Sequence, residues 1–133
     1  MTKRLKIMVV EDSESSQREI QEMLLPYADC EEARDGISAV GKFRDALLAN
    51  EPYDLICMDI TMPNMDGKTA LSIIREIERQ KKIKETPVIM LTASRDALSR
   101  IETLSELKAH SYLVKPITRE ALVKEIMRLK VLF

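Results

Sequence analysis

Short, nearly uninterrupted apolar runs alternate along this chain with longer stretches in which apolar residues recur every three or four positions. The runs are Leu5–Val10 (LKIMVV) and residues 53–60 (YDLICMDI), 88–91 (VIML) and 112–114 (YLV). Runs of this kind are expected of strands covered on both faces. Ala28–Ala33 (ADCEEA) is a weaker fifth strand, expected at an edge. Between the strands the spacing is helical, as for Ile20, Met23 and Leu24 in the first such segment and Ile73, Ile74 and Ile77 in the third. Two further helical segments are predicted over residues 95–107 and from 119 to the end. The five prolines, at positions 26, 52, 63, 87 and 116, all fall between these segments. That supports the division, because proline breaks both helix and ladder hydrogen bonding. The order is therefore βα repeated five times, which implies a parallel sheet with helices on both faces. Right-handed crossovers then restrict the topology to the doubly wound α/β class.

Composition narrows the functional classes. A chain of 133 residues builds one core, and no linker, low-complexity tract or longer repeat divides it, so one domain over residues 1–133 is expected. Hydrophobic residues at 45% and charged residues at 32% are ordinary for a globular protein. The 21 basic and 22 acidic residues nearly cancel, leaving no cationic field for nucleic acid. No segment approaches a membrane span, and the apolar run at residues 7–10 is too short for a signal peptide. Cys30 and Cys57 form no Cys-x-x-Cys or Cys/His cluster and read as free thiols of a reducing cytoplasm. The run RQKKIK at 79–84 reads as the cationic end of the third helix, which suits the helix dipole.

Candidate chemistry collects at the C-terminal ends of the strands, where open parallel sheets bind ligands. The first strand ends in Glu11 and Asp12, the third in Asp59, the fourth in Thr92 and the fifth in Lys115. If strands one and three are neighbours, three carboxylates share one small site, and their repulsion calls for a cation. An all-oxygen set of this kind suits magnesium, which pairs with phosphate. Lys115 and Thr92 then supply a cation and a hydroxyl for a transferring phosphoryl oxygen, with the Asp59 carboxylate as nucleophile. Each signal has a plainer reading: Asp12 or Ser13 could cap the first helix, and Pro63, Asn64, Asp66 and Gly67 are turn residues. Turn chemistry accounts for that loop but not for Asp59.

Over nearly its whole length the chain resembles response regulator receiver domains, through VVED (9–12), MDITMPNMDG (58–67), VIMLTA (88–93) and YLVKP (112–116) in the family's order and spacing. The resemblance implies a flavodoxin-like sheet of strand order 2-1-3-4-5. It implies that Asp12 ligates magnesium directly, that Glu11 acts mainly through water, and that the Thr61 backbone carbonyl completes the protein ligands beside Asp59. Asp59 would accept phosphate from a phosphohistidine on a histidine kinase or histidine phosphotransfer protein. Lys115 would pair with the phosphate, with the Lys115–Pro116 bond cis. Thr92 and Tyr112 would form a switch pair that alters binding of a downstream protein through the fourth helix, fifth strand and fifth helix. The implied protein is a cytoplasmic signalling module, not a free-standing enzyme. It would have no output domain, no direct contact with nucleic acid and no membrane insertion, and would be a monomer or a weak phosphorylation-dependent dimer.

Two departures stand out. Lys108 occupies a position, four before Tyr112, where the family often has glycine, so the turn into the fifth strand is expected to differ or carry strain. Thr61 and Ser94 fall where residues govern water access to the acyl phosphate. His110, the only histidine, reads as a solvated loop residue rather than a phosphate relay. A haloacid-dehalogenase-type phosphatase needs a second aspartate two residues after the nucleophile, and Thr61 stands there. A flavin carrier is disfavoured by the acidic loop EDSESS at 11–16, which would repel the flavin phosphate. A receiver from a hybrid kinase or larger regulator, or an unphosphorylated pseudo-receiver, are the remaining alternatives.

Overall fold

The computed structural model describes residues 4–93, 106 and 108–129. Its elements run β1 (Leu5–Val10), α1 (Glu14–Leu24), β2 (Ala28–Ala33), α2 (Gly36–Leu48), β3 (Leu55–Asp59), α3 (Gly67–Lys81), β4 (Val88–Thr92), β5 (Ser111–Val114) and α4 (Arg119–Arg128). All strand pairs are parallel and the sheet order is β2-β1-β3-β4-β5, as expected. β2 is an edge. Of the helical segment predicted over 95–107 only Glu106 is among the described residues, and Ser94 lies outside them, so α4 corresponds to the fifth predicted helix.

Because side chains alternate across a strand, the uninterrupted apolar runs feed two cores at once. Met8, Val10, Ile56, Met58, Val88 and Met90 face Phe43 of α2 and Leu71 and Ile74 of α3. Ile7, Val9, Leu55, Cys57, Ile89 and Leu91 face Ile20 and Leu24 of α1 and Leu122 and Ile126 of α4. Cys30 and Cys57 pair with Ile7 and Val9 on opposite sides of β1, which keeps them apart, and both are free thiols. Burial pushes the Cys57 thiol up to about 12 and the Cys30 thiol up to about 11, which leaves both in the unreactive form.

Each helix starts on a side-chain cap. Ser13, Asp35, Asp66 and Thr118 accept from the backbone N–H groups of Ser16, Ser38, Thr69 and Ala121. α3 is shorter than RQKKIK suggested: it ends at Lys81, and Lys82 turns left-handed at φ 56°. Only Arg79 and Lys81 are basic residues of its last turn. β3 is also shorter than the apolar run. Pro52 offers no N–H, Tyr53 donates its hydroxyl to Glu31 Oε1 at 2.6 Å, and the Asp54 carboxylate accepts from the Lys6 N–H at 2.8 Å.

Lys108 adopts the left-handed conformation that glycine would favour, at φ 55°. Its carbonyl accepts from Arg75 at 2.9 Å. Arg75 is buried against Glu78 at 2.7 Å and also donates to the Thr86 carbonyl at 3.0 Å, while Glu78 accepts from the Thr86 N–H at 2.7 Å. One buried ion pair thus ties α3 to the turn before β4 and to the approach to β5.

Candidate functional site

β1 and β3 are adjacent, so their polar ends meet. Ser13, not Asp12, caps α1, which leaves both carboxylates at the end of β1 free of that duty. Glu11 is 1% exposed and donates its N–H to the Ala33 carbonyl at 3.0 Å, whereas Asp12 is exposed. Oxygens of Glu11, Asp12 and Asp59 lie within 4.8 Å of one another. Lys115, at the end of β5, reaches across to place its Nζ 3.1 Å from Asp59 Oδ2 and 3.1 Å from Glu11 Oε2. The Lys115–Pro116 bond is cis. The other Asp59 oxygen, Oδ1, accepts from the Thr61 N–H at 3.2 Å. Thr92 is buried, and its carbonyl accepts from the Lys115 N–H at 2.7 Å.

Burial pushes the Glu11 carboxyl up to about 7, and the neighbouring Asp59 carboxylate adds to the effect while Lys115 opposes it. Desolvation works against the charge on Lys115, but the Glu11 and Asp59 carboxylates together outweigh it and hold the ammonium above its ordinary value. One ammonium cannot neutralise three carboxylates. The donor set, all oxygen and partly open through exposed Asp12, fits a hard divalent cation such as magnesium.

Tyr112 is half-buried and packs on the α2/α3 face of the sheet. It pairs with Met90, two residues before Thr92 on β4, so strand alternation puts Thr92 and Tyr112 on the same face. His110 is exposed, yet its Nδ1 accepts from the Val88 N–H at 3.3 Å, and burial of the ring with the nearby Arg75 charge lowers its pKa.

Two residues support the site from outside the carboxylate cluster. Gln17 is buried and donates to the Val9, Glu11 and Ala33 carbonyls at 3.0, 3.3 and 3.2 Å, holding the ends of β1 and β2 together. A polar residue on an otherwise apolar helix stripe is the only signal the sequence offers for it. Gly67 lies so close to β3 that a Cβ there would meet the Asp59 carbonyl oxygen at 2.2 Å. Its N–H donates to the Ile60 carbonyl at 2.8 Å, which folds the loop after Asp59 back onto the strand.

This fold and strand-end cluster define a receiver domain. The response regulator receiver domain family matches residues 7–127, and the chain belongs to it. It is 32% identical over 126 residues to a chemotaxis protein CheY homolog of Campylobacter jejuni, covering 92% of this chain and 89% of the relative. With the chemotaxis protein CheY of Treponema pallidum it shares 35% over 124 residues, 91% of this chain and 79% of that one. A hybrid signal transduction histidine kinase of Dictyostelium discoideum is 44% identical over 96 residues, which are 70% of this chain but only 3% of that protein. Among solved structures, CheY in the CheX–CheY–BeF3–Mg complex from Borrelia burgdorferi superposes with a TM-score of 0.84 at 26% identity, covering 95% and 89% of the two chains. The chain is thus a CheY-like receiver of two-component signalling. Receiver domains bind magnesium at an acidic pocket, and Glu11, Asp12 and Asp59 form an acidic cluster that could hold such an ion. No helix of the described residues is long and apolar enough to cross a membrane.

Proposed function

We propose that Asp59 is the phosphoryl acceptor of a cytoplasmic receiver that relays the signal of a histidine kinase or histidine phosphotransfer protein. The observation that carries this reading is Lys115, whose ammonium bridges the carboxylates of Asp59 and Glu11 at 3.1 Å each. An aspartate held that way has a counter-charge ready for a phosphate oxygen. A carboxylate oxygen of Asp59 attacks phosphorus, the P–N bond of the phosphohistidine breaks, and the imidazole leaves with its electron pair. Asp12, Asp59 and the Thr61 carbonyl would hold magnesium, with Glu11 acting mainly through water; the bound ion supplies positive charge to the phosphoryl oxygens. Lys115 and the Thr92 hydroxyl are the protein's own donors to those oxygens, each such charge-assisted bond contributing about 1.5 to 3 kcal/mol. Thr92 and Tyr112 then report the phosphate to a downstream protein.

The test is intact mass after treatment with acetyl phosphate and magnesium. Wild type should gain one phosphoryl group, and Asp59→Asn should gain none. Equal labelling of the variant would overturn the assignment.

A further inference from the structure

The loop between β3 and α3 hangs from α2 by contacts that neither a helix nor a turn requires. Asp35 caps α2 through one oxygen, with the Ser38 N–H donating to Oδ1 at 2.8 Å. Its other oxygen, Oδ2, accepts from Asn64 Nδ2 at 2.9 Å, across 29 residues of sequence. Beside that bond the Gly36 N–H donates to the Met65 carbonyl at 3.1 Å, and a Cβ on Gly36 would meet that same oxygen at 2.6 Å. Only glycine lets the two backbones approach so closely. Asn64 itself is left-handed at φ 68°, which turns its amide back toward α2. The N–H donors of Ser38 and Asn64 together hold the Asp35 carboxyl below its usual range.

The loop so held is the one that matters for Asp59. Thr61 donates its N–H to Asp59 Oδ1 at its near end, and Asp66 and Gly67 begin α3 at its far end. Both ends are anchored to β3 and α3; Met62 in the middle is buried in the core, but among the described hydrogen bonds those that tie the middle to another element go to the start of α2.

We propose that Asp35 and Asn64 form a clasp that sets the shape of the acceptor loop, making them positioning residues for phosphoryl transfer at Asp59. This rests on the reading of Asp59 as acceptor. Without the clasp the middle of the loop keeps only the Gly36–Met65 backbone bond to α2, and the Thr61 N–H spends less time directed at Asp59. A reaction that depends on fixed geometry slows accordingly.

The sequence allows a decisive set of variants. Asp35→Ser keeps a good helix cap but has no second oxygen for Asn64. Asn64→Gly keeps the left-handed backbone and removes the amide. The exchanged pair D35N/N64D rebuilds the bond in the opposite sense, with the asparagine oxygen still capping α2 and its amide donating to the new carboxylate. Two readouts are taken: amide hydrogen exchange over residues 60–67 in the metal-free protein, and the rate of phosphorylation by acetyl phosphate in saturating magnesium. Each single variant should speed exchange in that segment and slow phosphorylation about fivefold, the kinetic equivalent of one modest hydrogen bond. The double variant D35S/N64G should be no worse than the poorer single, because both break one bond. The exchanged pair should recover most of both losses. Additive losses in the double variant, failure of the exchanged pair to recover, or unchanged exchange in the singles would each sink the clasp. If wild type takes no phosphate at all, the acceptor reading falls, while the exchange comparison still decides the clasp.

Discussion

Glu11 carries a cost that its position makes measurable. It is 1% exposed, and burial raises its carboxyl from an ordinary 4.5 to about 7. A raised folded-state pKa contributes stability fully present below pH 4.5 and lost as pH rises through about 7. In the metal-free protein that loss is on the order of 3 kcal/mol, at ~1.4 kcal/mol per pH unit. Glu11→Gln, which cannot ionise, should therefore be more stable than wild type at pH 8 in chelator, with the advantage shrinking toward pH 5. Urea melts of the two proteins at both pH values test this, and a constant difference would contradict it. Comparing the two proteins cancels His110, whose lowered pKa acts in the opposite sense, removing stability as pH falls below about 6.5. Magnesium should narrow the difference, because its charge offsets the ionised Glu11 carboxylate. At one hundred times its dissociation constant it stabilises the folded state by about 2.7 kcal/mol, and Asp12→Ala should forfeit that gain.

The Arg75–Glu78 pair shows how far an element depends on groups with no local signature. Arg75 holds the Thr86 and Lys108 carbonyls as well as Glu78, so α3, the turn before β4 and the approach to β5 share one guanidinium. Removing one partner of a buried pair strands the other charge, which costs about 3 to 5 kcal/mol. Arg75→Met should lower the unfolding free energy read from urea melts by that much, whereas Glu78→Gln, still able to accept from the Thr86 N–H, should cost less. The reverse ranking would show that the pair is not the joint. Nothing in the spacing of α3 marks Arg75, since arginine three residues before glutamate is ordinary on an exposed helix face. The strands and the four carboxylate and cation positions were legible because they follow from periodicity and from which residues end the apolar runs. Gln17, Arg75, Gly67 and the Asp35–Asn64 contact were not, because their roles depend on backbone approaches between segments far apart in sequence. Lys108 lies between these cases. Its departure from glycine was visible, and the structure adds that lysine takes the left-handed turn with the Arg75 bond holding its carbonyl.

How the whole molecule would report phosphorylation follows from the face that Thr92 and Tyr112 share. Thr92 is 6% exposed at the end of β4, and Tyr112 sits on neighbouring β5, half-buried against the α2/α3 core. A phosphate on Asp59 would attract the Thr92 hydroxyl toward it and free space on that face for the Tyr112 ring to turn inward. Converting a 1:99 equilibrium to 99:1 takes about 5.5 kcal/mol. One charge-assisted bond supplies about 1.5 to 3 kcal/mol, so Thr92 alone is insufficient and Lys115 must contribute as well. The switch therefore predicts that loss of Thr92 weakens the conformational response without abolishing binding of the phosphate mimic. With beryllofluoride and magnesium bound, backbone amide shifts should extend from the loops around Asp59 through Tyr112 and β5 to α4 and to residues 95–107. In Thr92→Ala they should shrink along that face while the signals around Asp59 still report the bound mimic. Lys115→Ala should reduce them further, because it removes the second donor. Should wild type bind the mimic with perturbations confined to the loops around Asp59, Tyr112 would be a structural aromatic of β5, and the signal would leave the molecule by another face.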